Sequence, residues 1–185
     1  MLPLFPFGQI QEDCQWVLSQ VRRAWKIPAE TLYEAISLQG WRVCLGPLRE
    51  GQFCVCDAWN QTLTVSDRLV DELDCPHLQQ EVLHWLLAVQ LGTIRLHSMD
   101  LLEGKNSPAL ERAGTDYAIA FLLPEETLRA HPDVMYLLAA APLGKESWRR
   151  MCRVAESFRV PVSCVQAALE QYGCVESARF REVAA

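Results

Sequence analysis

The sequence predicts an α+β chain: a small antiparallel sheet of about three strands packed on a cluster of helices. Three observations carry this expectation. Half of the 185 residues are apolar and 22% are charged, an ordinary globular balance with enough apolar material for one core. Residues 41–66 fall into three short β-rich runs separated by turn residues. From Pro76 onward, apolar residues recur at helical spacing.

Each element has its own justification. "QEDCQWVLSQVRRAW" (11–25) sets Cys14, Val17, Leu18, Val21 and Trp25 at helical intervals. "IPAETLYEAISLQG" (27–40) follows, with Pro28 suited to a first turn and Gly40 to a C-terminal stop. "WRVCLG" (41–46), "GQFCVCDA" (51–58) and "QTLTVS" (61–66) are the strands, divided by Gly46-Pro47 and by Asn60, and they read as an antiparallel meander. "PHLQQEVLHWLLAVQLGTIRLH" (76–97) is the longest helix. It is apolar around most of its circumference, so Trp85, Leu86, Val89 and Ile94 are expected to be deeply buried.

A second helix, "SPALERAGTDYAIAFLLP" (107–124), is closed by Pro124, and the short pieces "PEETLRA" and "PDVMYLLAAA" follow it. "KESWRRMCRVAESFRV" and "PVSCVQAALEQYG" form a closing pair with Gly173 as its cap. The organisation expected is a body over residues 1–145, with a helix-turn-helix-like pair in 146–185 packed on it.

Charge and cysteine usage narrow the function classes. A net charge of -6 argues against a general nucleic-acid coat and against an anionic membrane surface. The opening "MLPLFPFGQI" lacks a basic residue and holds two prolines, so it reads as neither a secretion signal nor a span. A cytoplasmic location, with no membrane partner, is the expectation. The eight cysteines are scattered, with no CxxC pair and no zinc-knuckle spacing. They read as reduced thiols packed as small hydrophobes, with Cys54 and Cys56 expected to point to opposite faces of their strand.

The stretch "HWLLAVQLGTIRLH" (84–97) raises the chemical question. A helix that binds zinc carries His at i and i+4 on one face, with a Glu beside the first His as general base. Here Val89, Gln90 and Thr93 stand at those positions. Valine cannot ligate, glutamine has no basic carboxylate, and threonine is a poor zinc ligand. His84 lies on another side of the helix, and its i,i+3 neighbour Glu81 makes the two read as an exposed pair. His97 follows Thr93 by one turn. His77 and His131 stand beside prolines and read as surface residues.

In frame, this stretch resembles the signature helix of the ImmA/IrrE-type metallopeptidases, approximately R-F-x-x-A-H-E-x-G-H-x-x-x-H. His84 stands for the basic residue and Trp85 for the aromatic, with Ala88, Gly92 and His97 matching directly. "ERAGTDYAIAFLLP" (111–124) resembles the family block E-x-x-A-N/D-x-F-A-A-x-L-L-M-P, which places Glu111 where the third zinc ligand stands. "VAESFRVPVSCVQAALEQYGCV" (154–175) is similar to the family's tail, and "QTLTVSDRL" to the strand that edges the peptidase cleft. The resemblance implies a zincin-like fold with a C-terminal helix pair. The three positions that depart are the zinc and base positions, so it implies a degenerate member.

The function expected on this footing is a catalytically inactive peptidase-like protein that binds another protein, with no zinc and no cofactor. Active members of the family act on helix-turn-helix repressors, so the resemblance points to a regulator as partner. The degenerate cleft would comprise Val89, Gln90, Thr93, His97 and Glu111. Glu111 has two readings: a polar contact to Gln90 or Thr93, or a solvated glutamate near a helix start.

One alternative is DNA binding through the closing pair, where Arg149, Arg150, Arg153 and Arg159 cluster. Against it, the would-be recognition helix "VSCVQAALEQYG" has no Lys or Arg and carries Glu170. A further alternative is an enzyme of unrecognised chemistry, for which no nucleophile–base motif, phosphate loop or carboxylate pair stands out.

Overall fold

The computed structural model describes residues 7–21, 29–69, 76–99, 107–139 and 145–175. Helices α1 (Phe7–Gln20) and α2 (Ala29–Leu38) precede strands β1 (Arg42–Gly46), β2 (Cys54–Asp57) and β3 (Thr62–Ser66). Six further helices follow: α3 (Pro76–Ser98), α4 (Ser107–Leu122), α5 (Glu125–Arg129), α6 (Pro132–Ala139), α7 (Lys145–Phe158) and α8 (Val162–Gln171). The fold is therefore α+β and helix-rich among the described residues, with a small three-stranded sheet and a closing helix pair.

The antiparallel meander is corrected. The sheet is mixed, in the order β1-β3-β2, with β1 parallel to β3 and β2 antiparallel to it. The reason lies in burial. Leu63 and Val65 of β3 are at most 1% exposed, whereas β1 and β2 hold only exposed and half-buried residues. The strand with the most apolar surface takes the centre, where both its edges are paired. β2 is held as a hairpin partner instead, because the Asp57 carboxylate accepts the backbone N–H groups of Trp59 and Asn60 at 3.0 and 3.1 Å.

Cys54 and Cys56 do not point apart either. Residues two apart on a strand share a face, and here both are half-buried against the core side while Val55 and Asp57 face out. The seven described cysteines are all unpaired; Cys75 lies outside the described residues.

α3 and α4 make the central packing, with α1 on α4 and α2 on α3. Leu87, Ala88 and Leu91 of α3 are 0% exposed, as are Tyr117 and Phe121 of α4. Of the four α3 residues expected in the deepest core, Ile94 is there at 5% exposure. Trp85, Leu86 and Val89 are only half-buried, because the fully covered stripe runs through 84, 87, 88, 91 and 94. His84, read from the sequence as exposed, is buried at 2%.

An ion-pair network stitches the N-terminal half together. The Asp13 carboxylate of α1 accepts both ends of the Arg95 guanidinium of α3 and, at 2.8 Å, the Tyr117 hydroxyl of α4. Arg95 Nη1 also donates to Gln39 Oε1 just past α2 at 2.7 Å, and the guanidinium stacks 4.9 Å from the Trp16 ring. At the other end, Tyr172 donates from its hydroxyl to the Leu123 carbonyl at 2.9 Å and ties α8 to α4. Among the described residues, no helix is long and apolar enough to cross a membrane.

Candidate functional site

The five residues of the expected cleft fall on two helices that pack directly on each other. Val89, Gln90, Thr93 and His97 are on α3, and Glu111 is on α4. The contact between these helices is made by glycine. A methyl group at Gly114, three residues past Glu111, would stand 2.9 Å from the Val89 carbonyl oxygen, 3.0 Å from Thr93 Oγ1 and 3.1 Å from Val89 Cγ1. One turn further along α3, a methyl at Gly92 would stand 2.5 Å from Tyr117 Cβ. The two backbones approach until no side chain fits between them, so Gly92, which matches the signature helix, and Gly114, which stands where the second block has alanine, both have a packing reason.

Positions 89 and 93 thus face α4 rather than open solvent, and both are half-buried. Thr93 donates its hydroxyl to the Val89 carbonyl at 3.2 Å, which satisfies it locally. Gln90 faces the sheet, where its Oε1 accepts the Cys56 thiol at 3.0 Å. Burial pushes the Cys56 thiol up to about 11 and the Cys54 thiol up to about 12, so both are protonated near neutral pH. His97 is exposed in the last turn of α3, where the helix dipole favours a basic residue. Glu111 is exposed as well, which favours its reading as a solvated glutamate over a contact with Thr93.

The donor set does not fit a zinc ion. Position 89 offers no donor atom, the Thr93 hydroxyl is committed to a carbonyl, and the Gln90 amide oxygen already holds a thiol. Among the described residues, no group of three His, Cys, Asp or Glu side chains is arranged to hold a metal.

The second candidate region lies on α7. Arg150 and Arg153 are not free cations, because both donate to Asp133 of α6 at 2.8 Å and both lie within 4.0 Å of Glu146. The Arg150 guanidinium also stacks 3.7 Å from the Tyr136 ring. Together the two arginines hold the Asp133 carboxyl below the usual carboxylate range. Arg149 is the outlier, with 75% of its side chain exposed and Glu146 at 4.0 Å. Arg159 is not on a helix: it sits in the turn after α7 with φ +54°. The expected cluster therefore has three members on α7 and one apart, and two of the three are matched by a carboxylate that lies seventeen or more positions away in sequence. On α8, Cys164, Val165, Ala168 and Leu169 are spent on the core.

His84 is the residue that sequence reasoning missed. The sequence reads it as one of an exposed pair, whereas it is buried, with the backbone of Arg159 in the α7–α8 turn against it, seventy-five positions away in sequence.

No protein-family profile matches the chain, and no curated protein matches it. Among solved structures it is similar to a transcriptional regulator from Mycobacterium tuberculosis, with a TM-score of 0.63 at 13% identity. The alignment covers 88% of this chain and 46% of that one, so the chain spans about half the length of the regulator it matches. At such low identity the likeness is one of fold: the α+β arrangement described above is shared with that regulator.

Proposed function

We propose that the chain is a catalytically inactive, peptidase-like domain that acts by binding another protein within transcriptional regulation. One observation carries the reading. The helix that bears Glu111 packs through Gly114 onto Val89 and Thr93, the two positions where a peptidase of this type would hold its zinc ligands. The frame of such a site is kept while its donors are replaced by packing. Exchanging a histidine for a valine adds favourable burial, roughly 1.5–2 kcal/mol where the valine is fully covered and less at half-buried Val89, so a site freed from catalysis drifts toward this arrangement. The likeness to a longer transcriptional regulator supports the regulatory part, with a helix-turn-helix regulator as the natural protein partner.

The test is a restored site. The wild-type protein should carry no stoichiometric zinc by elemental analysis, and EDTA should leave its melting temperature unchanged. Val89→His combined with Thr93→His supplies two imidazoles toward the helix of Glu111. Micromolar zinc should then stabilise the double variant by several kcal/mol, because it binds only the folded state. If the double variant stays folded and takes up no zinc, Glu111 is not placed as a third ligand and the peptidase relation is abandoned.

A second reading, DNA binding through α7 and α8, draws on the same regulator fold and on the exposure of Arg149. It is weaker, because Arg150 and Arg153 are already matched by carboxylates and α8 has no basic residue to present.

A further inference from the structure

His84 stands where the central helix meets the turn between α7 and α8. Its imidazole is buried, and Nδ1 has no hydrogen-bond partner. The other nitrogen is bonded to the backbone of Arg159, whose carbonyl accepts it. Arg159 itself is held in the left-handed region, at the position after a helix end where glycine is usual. A side chain there costs roughly 1 kcal/mol. The turn closes with the Val160 N–H on the Ala155 carbonyl at 3.0 Å, and Val160 is 0% exposed. The His84 bond thus fastens a strained turn to α3, while the helices on either side of it pack on α6 and α4.

We propose that His84 is a proton-operated latch on the C-terminal helix pair: neutral, it docks the α7–α8 turn on α3, and protonated, it lets that turn go. The inference does not depend on the peptidase-like reading.

The chemistry follows from what surrounds the ring. The charged groups facing it are Arg159 from the turn and Glu30 from α2, and on α3 itself Glu81 lies one turn earlier, toward Cys164 of α8. Burial is the strongest influence and disfavours the imidazolium; the Arg159 charge acts in the same direction, while the Arg159 carbonyl and Glu30 oppose it. The balance holds His84 below the ordinary histidine range.

Protonation would give Nδ1 a hydrogen with no acceptor and place a positive charge beside Arg159 in an apolar setting. Parting the turn from α3 relieves both, and the glycine-tight α3–α4 contact can stay shut meanwhile. The sign is fixed by linkage. Since the docked state holds the neutral ring, its stabilisation is complete above about pH 6.5 and is lost as the pH falls below that value.

Amide hydrogen exchange on the full chain at pH 7.5 and pH 5.5, corrected for intrinsic exchange, tests this. Protection in α8 and at residues 158–160 should fall by about tenfold at pH 5.5, the limit set by one unit below the unfolded value, while residues 87–94 of α3 stay protected. His84→Gln keeps an N–H donor for the Arg159 carbonyl but takes up no proton, so it should abolish the difference. Unchanged protection of α8 in the wild type, or an equal loss in His84→Gln, overturns the latch. Arg159→Gly supplies a second arm if the glutamine variant does not fold. It keeps the carbonyl and removes the facing charge, so the midpoint of the exchange transition should move up in pH; a midpoint that stays put also overturns the proposal.

Discussion

The α3–α4 contact and the α6–α7 face each carry residues that a functional reading selects from sequence, and they differ in what stands opposite. At the α3–α4 contact the partner is backbone. Gly92 and Gly114 let the helices close until Val89 and Thr93 lie against α4, with Tyr117 fixed beside them by Asp13. At the α6–α7 face the partners are side chains at the surface: Asp133 and Glu146 meet Arg150 and Arg153, and 48% of the Arg153 side chain is still open to water. The first region is held by shape and resists change. The second is held by charge and tolerates it. A motif position is decided less by its own residue than by how closely its neighbour can approach.

The largest effect should come from Asp13. Its side chain is 9% exposed and that of Arg95 is 14%, and it answers the Tyr117 hydroxyl as well. Asp13→Ala leaves a nearly buried guanidinium and a buried hydroxyl without their acceptor. A loss of about 3 kcal/mol in chemical denaturation is expected, at the low end for a broken buried pair because Arg95 keeps Gln39. A loss under about 1 kcal/mol would mean that water replaces the carboxylate easily, and the network would then belong with the surface arginines.

Gly92→Ala comes next. The added methyl meets Tyr117 at Cβ and Cγ, 2.5 and 2.8 Å away, and the tyrosine cannot swing aside while Asp13 holds its hydroxyl. Roughly 2–3 kcal/mol should be lost, the upper range for overpacking. Because the two changes share Tyr117, the double variant with Asp13→Ala should lose less than the sum, as a freed tyrosine can yield. Strict additivity would show that the tightness of the contact does not depend on the ion pair.

The same contrast explains what could be read in advance. Most helices were legible, since Pro76, Gly40 and Gly173 and the apolar spacing are local signals, and Gly40 and Gly173 take the positive φ values that helix ends require. The first helix was misplaced: it spans Phe7–Gln20 rather than 11–25, and Trp25 lies outside the described residues. Gly92 matched the resemblance frame and Gly114 fell at its alanine position, although their purpose is visible only with the two helices together. Strand order was not legible, because pairing is non-local and the choice of β3 as centre depends on which face the helices cover. His84 was hidden for a similar reason. A histidine beside a glutamate on a helix is ordinary until a second element, here the α7–α8 turn, is laid over it. The arginines were legible as a cluster, but Asp133 was not legible as their partner.

The smallest effect should follow Asp133→Asn, and it sharpens the comparison from the charged side. Asp133 accepts from Arg150 Nη1 and Arg153 Nη2 at 2.8 Å and from Arg153 Nε at 3.1 Å, yet Arg153 is half in water and Arg150 retains the Tyr136 ring and Glu146. Under about 1 kcal/mol of stability should be lost at neutral pH: the Asp133 side chain is only 15% exposed, but asparagine keeps one acceptor oxygen and Arg153 stays half in water. The pH dependence has a definite sign. A carboxyl held below its usual range contributes above about pH 4 and loses that contribution as the pH falls through its lowered value. Wild type and Asp133→Asn should therefore converge in acid.

Releasing two arginines should also strengthen retention of duplex DNA on a low-salt gel, because their charge is no longer neutralised internally. A loss of several kcal/mol would move α6–α7 into the same class as the α3–α4 contact. Tight, salt-sensitive binding already present in the wild type, and lost in Arg149→Ala, would show that the arginines reach phosphate despite their carboxylates. In that case the DNA-binding reading would displace the one proposed here.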